Sequence, residues 1–248
     1  MSGTLVVTGA GRGIGAACAR RAAQAGWKVA VNYAHSRDAA LTVVADIERA
    51  GGTAVAIAAD VAKRDEVERL FAEAERLLGP IAGLINNAGI GGVVAPIGEQ
   101  TEAMMAPMFA TNVYGIAYCC GAAIARMSTK HGGKGGAIVN ISSMAAKLGG
   151  LPNMVAYAAS KGAVDALTLG IAKEVARDGI RVNAIRPGVI DTDILNGVGR
   201  EKMLAMIAPL IPMGRTGETH EIAEAAIWLL SPAASYVHGS ILDVSGGR

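Results

Sequence analysis

Short apolar runs alternate along this chain with longer segments whose apolar residues recur every three or four positions. Leu5 to Val7, Lys28 to Tyr33, Ala54 to Ala59, Gly83 to Asn86, Ala137 to Ser142, Arg181 to Arg186 and Ile241 to Val244 are brief and rich in Val, Ile, Leu and Ala. These seven runs are predicted to be strands. The segments from Ala16 to Ala25, Ser36 to Ala50, Lys63 to Leu78, Thr101 to Arg126 and Val155 to Arg177 carry helical spacing and good helix formers. Strands that are mostly apolar on both faces and alternate with helices imply a parallel sheet covered on both sides, joined by right-handed crossovers. The predicted class is therefore α/β, a doubly wound sheet of seven parallel strands flanked by helices. No Pro/Ser-rich linker or repeat divides the 248 residues, so 1–248 is expected to be one domain.

This is the Rossmann arrangement, and composition agrees with it. Half of the chain, 52%, is hydrophobic, which is ample for a core of this size. The net charge of +2 comes from balanced acids and bases with few aromatics, so a nucleic-acid groove is not expected. Met1 leads almost directly into the first strand, without a leader pattern, and a cytoplasmic location is expected. Ala103 to Ala125 is uncharged, but it contains Pro107, Thr111, Asn112 and two glycines. It is expected to be a buried helix rather than a membrane span. Cys18, Cys119 and Cys120 have no metal-ligand spacing and are expected to be reduced core residues, with no metal site.

In such sheets ligands lie beyond the carboxyl ends of the strands. The first end reads "TGAGRGIG", Thr8 to Gly15. Each glycine costs conformational entropy, and a strand-to-helix turn stripped of Cβ atoms offers unpaired N–H groups to a phosphate. The motif frames either as Gly11, Gly13 and Ala16 or as Gly9, Gly13 and Gly15. After the second strand comes "VNYAHSRDAA", in which Tyr33 stands where an acid for a ribose 2′-hydroxyl is expected. His35, Ser36 and Arg37, with Arg12 from the glycine turn, suit a 2′-phosphate instead, so NADP(H) is preferred over NAD(H). Asp60 and Val61 end the third strand, where the carboxylate can accept from an adenine amino group. "NNAG", Asn86 to Gly89, ends the fourth.

The fifth end and the following helix read "NISSMAAKLGGLPNMVAYAASKGA". Tyr157 and Lys161 are four apart and share one helix face, so the ammonium favours the phenolate. A phenol with a reference pKa of ~10 becomes a usable acid or base only with such help. Ser142 and Ser143 close the preceding strand and return to the same sheet edge.

With these motifs in order, the chain resembles the short-chain dehydrogenase/reductase family over essentially its whole length. "TGAGRGIG" resembles the family's cofactor turn, "NNAG" its mid-sheet motif, "NVYG" its asparagine motif, "YAASK" its Y-x-x-x-K, and "RPGVIDT" its nicotinamide loop. The resemblance implies that Tyr157 exchanges a proton with the substrate oxygen, Ser143 hydrogen-bonds that oxygen, Lys161 holds the nicotinamide ribose, and Asn112 organises a water path. It implies cofactor contacts at Gly9, Arg12, Gly13, Ile14, Gly15, Asn32, His35, Ser36, Arg37, Asp60, Val61, Asn87, Ala88 and Gly89. Pro187, Gly188, Ile190 and Thr192 join Tyr157 and Lys161 around the nicotinamide. In this frame Gly9, Gly13 and Gly15 are the functional glycines, and Arg12 becomes half of a clamp on the 2′-phosphate with Arg37 or His35. Ser143 lies fourteen positions before Tyr157, one more than the usual family spacing, and Ser142 lies fifteen before. The extra residue is expected in the loop "KLGGLPNM", itself expected to contact substrate. Ser143, as the second of the pair, is the serine the resemblance implies, with Ser142 the alternative.

The implied activity is hydride transfer between NADP(H) and a carbonyl or secondary alcohol. A cofactor-binding sensor without turnover is the alternative class, although a sensor needs no proton relay. Asp191 to Met213 is apolar with glycines and is expected to be a lid over a substrate with apolar surface. A 3-oxoacyl thioester of acyl carrier protein would need a basic patch, for which Arg126, Lys130 and Lys134 are candidates; a sugar or polyol would want more polar groups. The resemblance and the apolar helix around Ala103 to Ala125 imply a homotetramer, with the carboxyl end near a second interface.

Overall fold

The computed structural model describes residues 3–192 and 207–248. Seven parallel strands form one sheet in the order β3-β2-β1-β4-β5-β6-β7. They are β1 Thr4–Val7, β2 Lys28–Tyr33, β3 Thr53–Ala58, β4 Ile81–Asn86, β5 Gly136–Ile141, β6 Ile180–Pro187 and β7 Ile241–Val244. The order runs outward in both directions from β1 and β4, so the chain switches direction between them. That switch point opens a crevice at the carboxyl edge.

Helices α1 Gly13–Gln24, α2 Arg37–Arg49 and α8 Thr219–Leu230 cover one face. Helices α3 Arg64–Leu78, α5 Gly115–Met127 and α7 Val155–Val175 cover the other, with the single turn α6 Ala145–Leu148 between β5 and α7. Successive strand residues enter opposite cores: Leu5 and Val7 pack under the first set, Val6 under the second. This is why the strands lack polar alternation. Phe71 is the largest fully buried side chain, and the Arg126 guanidinium lies 5.7 Å from its ring centroid.

The expected helix around Thr101 to Arg126 is interrupted. Helix α4 Glu102–Phe109 passes into a π turn at Ala110–Tyr114 before α5 resumes. Asn112 stands in that turn, fully buried, with Nδ2 donating to the Ile90 carbonyl at 3.0 Å and Oδ1 accepting from the Ile90 N–H at 2.9 Å. A π turn inserts one residue into the helical ladder and turns a side chain to a new bearing. Here the amide is turned onto the loop after β4, and the long-range pairing with Ile90 holds it there. By length and apolarity Glu102–Met127 is the described stretch able to cross a membrane, but α5 packs on α3 and the sheet. The three cysteines are buried and free; burial pushes the thiols of Cys18 and Cys120 up to about 12, which leaves them unreactive at neutral pH.

Candidate active site

The carboxyl ends of β1 to β6 open into one cleft of about 900 Å³, which runs from Tyr33 and Asp60 on one side to Ile207 and Arg248 on the other. Its floor at the centre is the glycine turn. Gly9 and Gly13 take positive φ, +61° and +54°, a conformation other residues rarely adopt. A Cβ on Gly9 would lie 2.9 Å from the Ala88 Cα, and one on Gly15 would lie 2.5 Å from the Gly9 carbonyl oxygen. Gly11 has no such requirement, since its Cβ would meet ordinary neighbours at 3.4 Å and beyond.

The asparagines around this turn hold the protein to itself. Thr8 Oγ1 accepts from the N–H groups of Asn87 and Ala88, and Asn87 Nδ2 donates to the carbonyls of Thr8 and Gly9 at 3.0 and 3.1 Å. Asn32 Oδ1 accepts from the Gly9 N–H at 3.2 Å, while its Nδ2 donates to the Ala59 carbonyl at 3.0 Å. The loops after β1, β2, β3 and β4 are thereby locked together, with these amides consumed in the locking. Asp60 Oδ1 accepts from the Ala62 N–H at 3.0 Å, which makes a turn of its own, while the residue still lines the cleft.

Arg12, at the start of α1, lines the cleft with Tyr33, His35 and Ser36. Arg37 does not: it is exposed on the first turn of α2, outside the cleft wall. Of the residues expected around a 2′-phosphate, Arg12, His35 and Ser36 line the cleft. Ser36 precedes α2 but makes no capping hydrogen bond with its side chain.

On the far side of the switch point, Ser142 and Ser143 face different ways. Ser142 is buried and its Oγ donates to the Lys161 carbonyl at 3.2 Å. The Ser143 hydroxyl opposes the upward shift that burial imposes on the Tyr157 phenol, and it accepts from the Ala145 N–H at 3.1 Å. The geometry selects Ser143 as the serine beside the tyrosine. Lys161, buried beneath, donates from Nζ to the Ile141 carbonyl at 2.8 Å and stands 5.9 Å from the Tyr157 ring centroid. Burial lowers the Lys161 ammonium to about 8, against which the Asp165 carboxylate one turn along α7 pulls upward. Asp165 is itself fixed by Arg186 at 2.9 and 2.8 Å, and Arg186 reaches Asp243, which pairs with Lys147 beside the serine loop. Burial also raises the Tyr157 phenol, and the Ser143 hydroxyl opposes this. The lysine charge that would favour ionisation of the phenol is present below about pH 8 and fades as pH rises through that value.

Asn112 does not line the cleft but lies directly behind it. A Cβ on Gly89 would approach Asn112 Oδ1 at 3.2 Å and Lys161 Nζ at 3.6 Å, so both polar ends converge on one point under the cleft floor. Asn112 Nδ2 also donates to Ser160 Oγ at 3.1 Å. Pro187, Gly188, Ile190 and Thr192 form the wall after β6, where the Gly188 N–H donates to the Val244 carbonyl at 2.9 Å. Thr192 packs toward Gly13, closing the glycine turn against this wall. Most of the expected lid, 193–206, lies outside the described residues; Ile207 lines the cleft.

Leu151 and Met154, in the loop before Tyr157 expected to contact substrate, and Val189, in the expected nicotinamide loop, give the cleft an apolar wall, whereas the sequence does not mark Arg248, which also lines it.

The chain belongs to the short-chain dehydrogenase/reductase family, a family of oxidoreductases using nicotinamide cofactors. The family model described as enoyl-(acyl carrier protein) reductase matches residues 9–248. The uncharacterized oxidoreductase YgfF of Escherichia coli K12 is 44% identical over 243 residues, 98% of each chain. A 3-oxoacyl-[acyl-carrier-protein] reductase of Synechocystis is 39% identical over 98% of this chain and 95% of its own. A solved 7α-hydroxysteroid dehydrogenase, in complex with NADH and 7-oxo glycochenodeoxycholic acid, superimposes with a TM-score of 0.92 at 37% identity, covering 99% of this chain and 93% of that one. The cradle fits a dinucleotide: the close approaches at Gly9 and Gly15 and the two left-handed glycines leave the first turn of α1 bare for a pyrophosphate.

Two substitutions separate the structural glycine from the tolerant one. Gly15→Ala is expected to cost about 2 kcal/mol or more, because its Cβ meets backbone. Gly11→Ala is expected to stay within about 1 kcal/mol of the parent. Urea denaturation checks both, and equal losses would contradict the assignment.

Proposed function

We propose that this protein is an NADP(H)-dependent carbonyl reductase or alcohol dehydrogenase with Tyr157 as its acid/base. The observation that carries the reading is that Ser143, Tyr157 and the buried Lys161, its Nζ 5.9 Å from the Tyr157 ring centroid, line one cleft whose other end holds Arg12 and His35. In the reductive direction the Tyr157 hydroxyl gives its proton to the substrate carbonyl oxygen while Ser143 donates a hydrogen bond to the same oxygen. Lys161 holds the nicotinamide ribose and favours the phenolate left behind; the Asn112–Ile90 pairing keeps a path for a replacement proton. When bound, the cofactor supplies the hydride that reaches the carbonyl carbon. Glycines 9, 13 and 15, with the Ile14 backbone, receive the pyrophosphate, and Arg12 with His35 receives the 2′-phosphate. Thr192 and Ile190 orient the carboxamide. The intact proton machinery favours turnover over cofactor sensing.

For the substrate, the apolar wall of Leu151, Met154 and Val189 supports a compound with apolar surface rather than a sugar. A route through acyl carrier protein loses its candidate docking patch. Arg126 is paired with Glu68 and Glu75 and Lys130 with Asp178. They, with Lys134, directly precede β5, so they stand at the amino edge of the sheet, opposite the cleft.

A homotetramer is the assembly these surfaces fit. The π turn, α5 and α7 present exposed Tyr114, Val155 and Leu169 and, at Gly121, Gly162 and Gly170, open Cβ positions. At the other edge β7 is only half-buried, with Trp228 and Tyr236 exposed near it. The three buried thiols suit a cytoplasmic, reducing setting.

Initial rates over a panel of carbonyls with NADPH and NADH test the chemistry. Tyr157→Phe is expected to bind NADPH normally and lose at least about a hundredfold in kcat. Arg12→Ala is expected to raise the KM for NADPH far more than that for NADH. Unchanged turnover in the first variant, or equal effects on the two cofactors in the second, would contradict the respective role. Light scattering on the eluted protein is expected to give four subunits, and a monomer would contradict the assembly.

A further inference from the structure

The residue after the final Gly-Gly pair is a cation placed inside an otherwise apolar part of the cleft. Arg248 is half-buried and lines the same cleft as Leu151, Met154, Val189 and Ile207, and the glycines before it pack on Ile211 and Pro212. Its backbone is held firmly. A Cβ on Gly246 would lie 2.8 Å from the Ile211 side chain, one on Gly247 3.0 Å from Pro212, and one on Gly188 2.7 Å from the Ser245 Cα. The Arg248 carbonyl accepts from Ser245 Oγ at 3.0 Å. The strand order fixes which end of the cleft this is. Arg248 follows β7 at one sheet edge, beyond the nicotinamide wall of β6, whereas Tyr33 to Ser36 and Asp60 follow β2 and β3 toward the other. The cofactor's adenosine end is therefore out of its reach.

Acids packed near this end of the sheet are already engaged. Asp243 takes Lys147 and Arg186, Asp165 takes Arg186, and Glu221 takes Arg215. Among the described residues no side-chain carboxylate lies within ion-pair distance of the Arg248 guanidinium. A partly buried cation against apolar side chains calls for a counter-charge, and the planar guanidinium fork matches a carboxylate or phosphate in two parallel hydrogen bonds.

We propose that Arg248 is an anion subsite at the substrate end of the cleft, and that the substrate is a carbonyl compound with an apolar body and an anionic group. The inference rests on the reductase reading above and narrows its substrate class. The apolar wall takes the body of the molecule, Ser143 and Tyr157 take its carbonyl oxygen, and Arg248 takes its charge. A neutral ketone of the same shape still reacts but lacks one anchoring contact.

The test compares medium-chain oxo-alkanoates with their methyl esters and with the corresponding oxo-alkyl phosphates, using parent enzyme, Arg248→Gln and Arg248→Lys. A hydrogen-bonded charge pair predicts that Arg248→Gln raises KM for the preferred anion by about tenfold or more, with kcat little changed. The methyl ester is expected to show no change, and Arg248→Lys to fall between. The acid and phosphate arms tell which anion the site prefers. Equal rises for acid, phosphate and ester, or a rise in the KM for NADPH alone, would overturn the subsite. If the parent enzyme reduces none of these probes, it is the reductase reading for such carbonyls that fails. Calorimetric titration of the NADPH-loaded protein with the same oxo-alkanoates and phosphates then decides the subsite separately: binding lost in Arg248→Gln supports it, and equal or absent binding in both proteins overturns it.

Discussion

The buried ammonium of Lys161, donating to the carbonyl of Ile141, is the contact on which the site depends. It joins α7 to the carboxyl end of β5 at the level where the sheet opens. Once it is made, helix periodicity alone places Tyr157 one turn earlier on the same face, and β5 itself delivers Ser142 and Ser143 one and two residues further on. The two serines then divide their work: Ser142 is bonded to the Lys161 carbonyl, and Ser143 lines the cleft with the tyrosine and opposes the effect of burial on its phenol. A charged group in such a position is costly. That cost is visible in the lowering of the ammonium to about 8, and the Asp165 carboxylate offsets part of it.

Two further sets of contacts make the cleft usable. One locks the loops after β1, β2, β3 and β4 through Thr8, Asn32 and Asn87, so the glycine turn keeps its bare surface without a ligand to shape it. The other runs from Lys147 through Asp243 and Arg186 to Asp165, connecting the serine loop to β7, β6 and α7. Its outer member is half exposed and adds little by itself. Its inner pair, largely buried, sets one Asp165 oxygen against two guanidinium nitrogens and holds the counter-charge of Lys161 in place.

Much of this was legible in the residues. Apolar runs located all seven strands, because strands buried on both faces have no polar alternation to obscure them. Spacing put Tyr157 and Lys161 on one face, and glycine usage marked the first turn. What pattern did not carry was the set of partners chosen in three dimensions. Asn112 looked like part of an ordinary helix, whereas its pairing with Ile90 accompanies a π turn. Ser142 and Ser143 were adjacent in sequence, and only the pleat of β5 decided which one faces Tyr157. Arg37 had the right neighbours in sequence, but the first turn of α2 directs it outside the cleft. Arg126 and Lys130 had the right charge at the wrong end of the sheet, as their place just before β5 already implied. Arg248 had no local pattern around it beyond two glycines, and its position follows from how the chain is held after β7.

The central claim is that the Lys161 charge makes Tyr157 an acid/base. The most direct measurement is the ionisation of Tyr157, followed by NMR of ring-labelled tyrosine in the cofactor-bound parent protein and in Lys161→Met. The account predicts a higher pKa in the variant, by about one unit or more, since removing the cation leaves burial opposed by Ser143 alone. The same Tyr157 pKa in both proteins would contradict it.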